Sequence, residues 1–148
     1  MGIKANNEWK IFNGYKIPFS EYKFIEEINE NLGIKDDDWA YGNSNNMTKY
    51  VGFEVNNDHI TKLYLKEYLL PILPDSIGDL TFLEELSLKG NWLEKLPESF
   101  GKLRNLKNLY IYNNHLAQLP EDIGDLKNLE ALDLRHNKLT KLQIALEI

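Results

Sequence analysis

The sequence predicts an α/β protein: a short, curved solenoid with one parallel strand per repeat, preceded by a small N-terminal α+β cap. Segment 83–105, LEELSLKGNWLEKLPESFGKLRN, is matched in residue class by segment 106–128, LKNLYIYNNHLAQLPEDIGDLKN, at an interval of 23 residues. Segments 60–82 and 129–148 keep the same register, although the last is shorter. Because no single unit can bury its own apolar residues, we expect neighbouring units to stack on one another.

Each recurring position of the repeat has a mechanical reason. The fourth and sixth positions are apolar and alternate, which is typical of a short strand with one buried face. An asparagine follows, and its amide is expected to bond the backbone of the neighbouring turn. Pro97 and Pro120 fix φ on the return path, and we expect the backbone to turn tightly at Gly101 and Gly124. The strand residues are Leu86, Leu88, Leu109, Ile111, Leu132 and Leu134, and the asparagines are Asn91, Asn114 and Asn137.

These positions resemble the 23-residue LPxxIGxL class of leucine-rich repeats, which occurs in intracellular Ras-group scaffolds and in many prokaryotic proteins. The resemblance covers residues 60–148. Tyr68 stands where the first repeat should have asparagine, and Gln143 and Glu147 replace the proline and glycine of the last repeat. Such departures fit the ends of an array. The resemblance implies a binding surface, and therefore a protein–protein interaction module or scaffold. The four repeats are 60–82, 83–105, 106–128 and 129–148.

Residues 1–59 are expected to form the cap. Asn13-Gly14 between two apolar runs predicts a β-hairpin, since both residue types tolerate positive φ. Ser20 is expected to cap a helix from Glu21 to about Leu32, and Gly33 is expected to end it. The predicted hairpin strands are 9–12 and 15–17.

The second half of the cap is predicted to lead into the first repeat. Residues 36–49 read as a polar loop. The alternation of Val51, Phe53 and Val55 then predicts a strand that covers the open edge of the first repeat, with Trp39 sealing it. A cap is therefore a better interpretation of residues 1–59 than an independently acting domain.

Composition disfavours several classes of partner and compartment. The 148 residues carry a net charge of −6, which disfavours nucleic acid and anionic membranes as main partners. The chain has no cysteine, whereas extracellular proteins of this kind usually close their ends with disulfides, so we expect a cytoplasmic location. The sequence shows no apolar run of membrane-spanning or signal-peptide length.

Candidate catalytic or metal-binding groups are sparse. Asp36, Asp37 and Asp38 are consecutive acids, but they lack the alternating ligands and closing glutamate of a calcium loop, so a solvated turn is the better interpretation. His115 and His136 lie in successive repeats without further ligands nearby. No serine has a visible histidine and aspartate partner. We therefore expect no enzyme activity, no cofactor and no metal.

The remaining candidate for function is the concave face of the strands. The fifth and seventh positions of each repeat point outward and bring tyrosines and cations together. Aromatic and arginine side chains on a rigid sheet are what interface hot spots consist of, and the cations favour an acidic partner surface. The residues expected to bind a protein partner are Tyr64, Lys66, Lys89, Tyr110, Tyr112, Arg135 and His136, with Trp92 as a secondary candidate.

Two alternatives belong to other functional classes. The tail LQIALEI is mostly apolar and ends the chain in mid-repeat, so Leu142, Ile144, Leu146 or Ile148 could meet a second copy in a self-assembling homodimer. The chain could also be the regulatory or recognition part of an enzyme complex, linked to a GTPase or a ligase.

Overall fold

A β-hairpin opens the described part of the chain. The computed structural model describes residues 8–42 and 49–140. Strands β1 (Trp9–Phe12) and β2 (Tyr15–Pro18) pair antiparallel. The intervening Asn13 and Gly14 have φ of 47° and 83°, the left-handed conformation that these residue types tolerate best. The hairpin prediction is confirmed.

Helix α1 (Phe19–Leu32) follows the hairpin directly. Its N-cap is Pro18, with φ of −58°, and no side chain caps the first turn. The expectation that Ser20 caps the helix is therefore wrong, because the proline already holds the chain in a conformation from which the helix starts. Gly33 ends the helix with φ of 65°, as expected. The helix buries Tyr22, Phe24, Ile25 and Ile28.

The stretch expected to be a polar loop contains regular structure in its described part. Asp36–Asp38 forms a 3₁₀ turn, and β3 (Ala40–Tyr41) pairs parallel with β4 (Tyr50–Asn56). The loop prediction is thus wrong for residues 36–41. Trp39 between them is buried, and its Nε1–H donates to Asn29 Oδ1 at 2.8 Å. The indole therefore packs in the core of the cap, with its ring centre 5.9 Å from that of Phe12.

One six-stranded sheet joins the cap to the repeats. Strand β4 pairs antiparallel with β5 (His59–Lys66), and β5 continues in parallel to β6 (Glu85–Ser87), β7 (Asn108–Tyr110) and β8 (Ala131–Asp133). The sheet order is β3-β4-β5-β6-β7-β8. The fold class is confirmed: α/β, with parallel strands and a small cap. The division expected after residue 59 falls inside β5. The chain returns through three 3₁₀ helices: Asp75–Asp79, Glu98–Lys102 and Glu121–Asp125.

A continuous cluster of buried residues runs from Phe12 in the cap to Leu126. Leu86, Leu109 and Phe100 within it are all 0% exposed. The asparagines bond the neighbouring repeat as predicted: Asn114 Nδ2 donates to Leu88 O at 2.9 Å, and its Oδ1 accepts from the Leu93 backbone N–H at 3.0 Å, both in the preceding repeat. The equivalent leucines of the last repeat are partly exposed, namely Leu132, Leu134 and Leu139.

Gly101 and Gly124 do not make the tight turns expected of them, since neither has a positive φ. A Cβ at Gly101 would lie 2.4 Å from the Cβ of Asp122, because consecutive 3₁₀ helices pack closely there. The left-handed position lies elsewhere, just after the strand. It is occupied in the four repeats by Glu67, Gly90, Asn113 and His136.

Candidate partner-binding surface

Strands β5 to β8 align matched positions on the side of the sheet that points away from the buried leucines, here called the outward face. Tyr64 pairs with Ser87, Ser87 with Tyr110, and Tyr110 with Asp133. Parallel neighbours lie about 4.8 Å apart, so equal positions form straight rows across the strands. This face is the surface that the sequence predicts for binding.

One row of the outward face carries cations on three of its four positions. In each of the first three repeats, the residue that follows the row position donates its backbone N–H to the carbonyl of the row residue in the next repeat, at 3.0–3.1 Å. These bonds hold the row in register at the last residue of β5 and two residues beyond the ends of β6, β7 and β8. Its members, here called the cationic row, are Lys66, Lys89, Tyr112 and Arg135.

Tyr112 lies between two of these cations in the row. Lys89 Nζ is 5.2 Å from the centre of the Tyr112 ring, and the guanidinium carbon of Arg135 is 5.9 Å from it, both within cation–π range. A hydrogen bond with Tyr112 raises the pKa of Lys89, so the lysine stays charged. The aromatic ring thus holds two charged groups in place without neutralising them.

Asp133 binds Arg135 with both carboxylate oxygens. Arg135 Nε donates to Oδ1 at 2.9 Å and Nη2 to Oδ2 at 2.7 Å, a bidentate geometry. The hydrogen bond to Arg135 holds the pKa of Asp133 below its usual value. The aspartate fixes the direction of the guanidinium, whose side chain remains 76% exposed.

The expectation that Tyr64 and Lys66 offer accessible surface is wrong. They are 1% and 9% exposed. Tyr50 of the cap strand β4 covers them: its ring centre lies 6.5 Å from that of Tyr64 and 5.7 Å from Lys66 Nζ. Burial, and the nearby charge of Lys89, lower the pKa of Lys66. In the rows of these two residues, the accessible part of the outward face therefore begins at the second repeat.

Sequence reasoning missed Tyr50, although one signal could have found it. Gly52 stands where the strand alternation calls for a larger side chain, and a Cβ there would lie 2.6 Å from the Tyr50 ring. The Tyr50 hydroxyl donates to Gly42 O at 2.5 Å, which holds the ring in place. A glycine inside a strand indicates close approach of another group.

A family model described as a leucine-rich repeat region matches residues 55–147, more than half of the chain. The chain belongs to the leucine-rich-repeat family. No curated protein matches it. Members of this family generally serve as non-catalytic interaction modules.

Solved leucine-rich-repeat structures share the fold. A leucine-rich-repeat protein from Leptospira interrogans is 46% identical over 51% of this chain, with a TM-score of 0.51. The chain spans only 19% of that protein. The leucine-rich-repeat ectodomain of the receptor kinase SOBIR1 from Arabidopsis thaliana is 24% identical over 83% of this chain and 70% of its own, with a TM-score of 0.60. The second likeness shows the leucine-rich-repeat fold alone.

Four expected binding residues remain accessible on the outward face of the leucine-rich repeats. Lys89, Tyr110 and Tyr112 are partly exposed, and Arg135 is exposed; His136 is exposed in the left-handed position beside it. Trp92, 53% exposed, lies after the strand instead and stacks on His115 with ring centres 6.3 Å apart. The structure thus gives Trp92 a histidine partner that the sequence analysis did not assign to it.

The acidic run of the cap has structural contacts. Asp36 accepts hydrogen bonds from the Tyr22 hydroxyl at 3.0 Å and from Asn29 Nδ2 at 2.7 Å. Asp38 accepts one from the Lys35 backbone N–H at 2.7 Å. Within residues 8–42 and 49–140, no group of three or more acidic, histidine or cysteine residues is arranged to hold a metal ion. Over the same residues, no helix has the length and hydropathy to cross a membrane.

Proposed function

We propose that this leucine-rich-repeat chain is a non-catalytic interaction module that binds a protein partner on the outward face of its second to fourth repeats. One observation carries the proposal: Tyr110 and Tyr112 lie partly exposed on a sheet whose neighbouring backbones are hydrogen-bonded in register. Tyrosine offers large contact area with few torsions to freeze and a hydroxyl for bonding.

Burial of Tyr64 and Lys66 narrows the surface available to a partner. Three strands remain, and they span roughly 10 Å. A flat globular surface would gain little from so narrow a strip, since standard interfaces use roughly 20–30 residues a side. An extended segment or a single helix of the partner fits it better, and the flanking loops enlarge the contact.

The test uses the double variant Tyr110→Ala, Tyr112→Ala. Partners captured from a lysate of the native cell by the wild-type chain are identified by mass spectrometry, purified and titrated by calorimetry. The double variant should weaken binding by about 30-fold or more, as expected for removal of interface hot spots. Its melting temperature should stay close to that of the wild type, because both side chains are partly exposed.

The matched control is Glu98→Ala, Glu121→Ala, on the 3₁₀ helices at the opposite side of the repeats. This variant should bind the partner like the wild type. Loss of binding in the control with retention in the tyrosine variant would move the site to that side.

Self-assembly is a second candidate function, favoured by the partial exposure of Leu132, Leu134 and Leu139. A second copy seated on this edge would bury them in an isologous dimer. The tail residues 142–148, which were expected to take part, lie outside the described residues. Sedimentation over a hundredfold range of concentration separates the alternatives, since a monomer throughout excludes the dimer.

We further propose that the chain belongs to the 23-residue LPxxIGxL class and works in the cytoplasm. The class is supported by the hydrogen-bond interval of 23 residues between Tyr68 and Asn91. The absence of cysteine from the whole sequence supports a reducing compartment. Fractionation of cells with an antibody against the chain tests the location.

A further inference from the structure

Charge is unevenly distributed along the strands of the outward face. Near the start of the strands, the lysines are engaged by carboxylates: Lys62 Nζ lies 3.0 Å from Glu54, and Lys107 Nζ lies 3.1 Å from Glu84. The cationic row, toward the other end, has no carboxylate among its own members, although Asp133 of the neighbouring row binds Arg135. The two ends of this face therefore present different charge patterns to a ligand.

We infer that the partner places an acidic, extended segment across the strands along the accessible part of the cationic row, with carboxylates facing Lys89 and Arg135. The inference rests on the proposed function and names the chemistry of its partner. Charge complementarity supports this occupant, because the chain carries a net charge of −6 and repels an acidic segment elsewhere on its surface.

Spacing restricts the segment. Lys89 and Arg135 are two strands apart in the row, which places their backbones roughly 10 Å from each other. An extended chain advances about 3.3 Å per residue, so acidic residues three positions apart span this distance. The two residues between them then lie over Tyr112.

Tyr112 can also take part directly. Lys89 Nζ lies 5.2 Å from the centre of the Tyr112 ring, and a phenolic oxygen that accepts from a lysine still has its own O–H to donate. A carboxylate of the segment is a suitable acceptor for that proton. The same tyrosine would then contact the segment through its ring and through its hydroxyl.

The local carboxylates moderate the attraction without cancelling it. Asp133 already binds two donors of Arg135, and the charge of Glu67 acts on Lys89. The row should therefore contribute mainly to the orientation and the rate of association, as rim charges do. Most of the binding free energy is left to the tyrosines.

The probe is a displayed library of random 12-residue peptides, selected on the wild-type chain. Peptides that bind the wild-type chain but not the double variant Tyr110→Ala, Tyr112→Ala are taken to bind the outward face. We expect these to be enriched in Asp and Glu at a spacing of three. Their affinity should fall at least tenfold on Lys89→Glu, Arg135→Glu, and their association rate should fall as salt rises.

The matched control is Lys62→Glu, Lys107→Glu, which makes the same change in net charge at the other end of the strands. This control variant should still bind the selected peptides. Peptides in which the acidic residues are replaced by lysine should bind the variant Lys89→Glu, Arg135→Glu again. Tyrosine-dependent peptides without acidic enrichment that bind both charge variants equally would overturn the inference alone. Tighter binding of a single-stranded oligothymidylate than of the peptides to the cationic row would also overturn the inference. A selection without tyrosine-dependent peptides would overturn the proposed function as well.

Discussion

Among single residues, the asparagines after the strands contribute most directly to the joining of repeats. Asn91 Oδ1 accepts from the backbone N–H groups of Tyr68 and Leu70, and its Nδ2 donates to Leu65 O at 2.7 Å. Asn91 is itself 2% exposed, and a buried polar group left unpaired costs roughly 1–3 kcal/mol. This role could be predicted from the sequence, because asparagine combines acceptor and donors on a short stem.

Leu109 tests the register of the repeats. The residue is 0% exposed between the matched Leu86 and Leu132. Leu109→Ala should lower the free energy of unfolding by about 2–5 kcal/mol, measured by urea denaturation, since it removes apolar contacts and leaves a cavity between repeats. The exposed Gln118→Ala is the control. A change below about 0.5 kcal/mol at Leu109 would contradict the register.

Other single residues could not be assigned from the repeat pattern. An outward strand position says nothing about which distant segment covers it, and so Tyr64 was assigned to the accessible surface. Likewise, Glu67 adopts a positive φ, which glutamate does not favour. The backbone bonds around the position impose this conformation, and Gly90 and Asn113 accept it more easily.

Elements with strong local signals were predicted well. The hairpin and helix α1 follow from turn residues and periodicity, and their bounds differ from the prediction by about two residues. Strand β3 was missed because two residues carry no periodicity, and it exists only through its pairing with β4. Gly101 of the return path was misread because packing between elements, not backbone conformation, requires a glycine there.

Gly101 gives a direct test of the packing between 3₁₀ helices. Gly101→Ala should destabilise the chain by roughly 1–3 kcal/mol, because the new methyl meets Asp122 at 2.4 Å. Gly124→Ala is the matched control, since no described atom lies within 4 Å of its Cβ position. Thermal unfolding should show a lower melting temperature for the first variant alone. Equal losses in both variants would disprove the packing explanation.

For the whole molecule, the cap and the repeats form one core held by polar links at its edge. Glu21 of helix α1 is 2% exposed, and its Oε1 lies 2.6 Å from His59 Nδ1 while its Oε2 accepts from Ile60 N–H at 2.8 Å. Ser76 Oγ donates to Glu27 Oε2 at 2.6 Å. The sequence did not predict these links, because they join residues that are 38 to 49 positions apart.

Glu21 should make stability depend on pH. Burial raises the pKa of Glu21 above its ordinary 4.5, although the bonds from Ile60 and His59 oppose this. The folded state then binds the proton more tightly than the unfolded state. The resulting stability is present below about pH 4.5 and is lost as pH rises through the folded pKa.

Urea unfolding of the wild type and of Glu21→Gln at several pH values measures this effect. The wild type should lose stability relative to the variant as pH rises above 4.5. Glu26→Gln, an exposed glutamate of the same helix, is the control. A relative stability that stays constant or rises with pH would contradict the effect of burial.

The bonding interval of 23 residues also makes the repeat a unit of deletion. Removal of residues 83–105 would join Phe82 to Leu106, pair β5 with β7, and leave Asn114 to take over the bonds of Asn91. We expect this shortened chain to unfold cooperatively, at a lower temperature because fewer neighbours stack. Removal of one residue more or fewer should abolish folding, since it shifts every inward side chain. Circular dichroism during heating distinguishes the three chains. The width of the accessible outward face could thus be changed by one whole strand at a time.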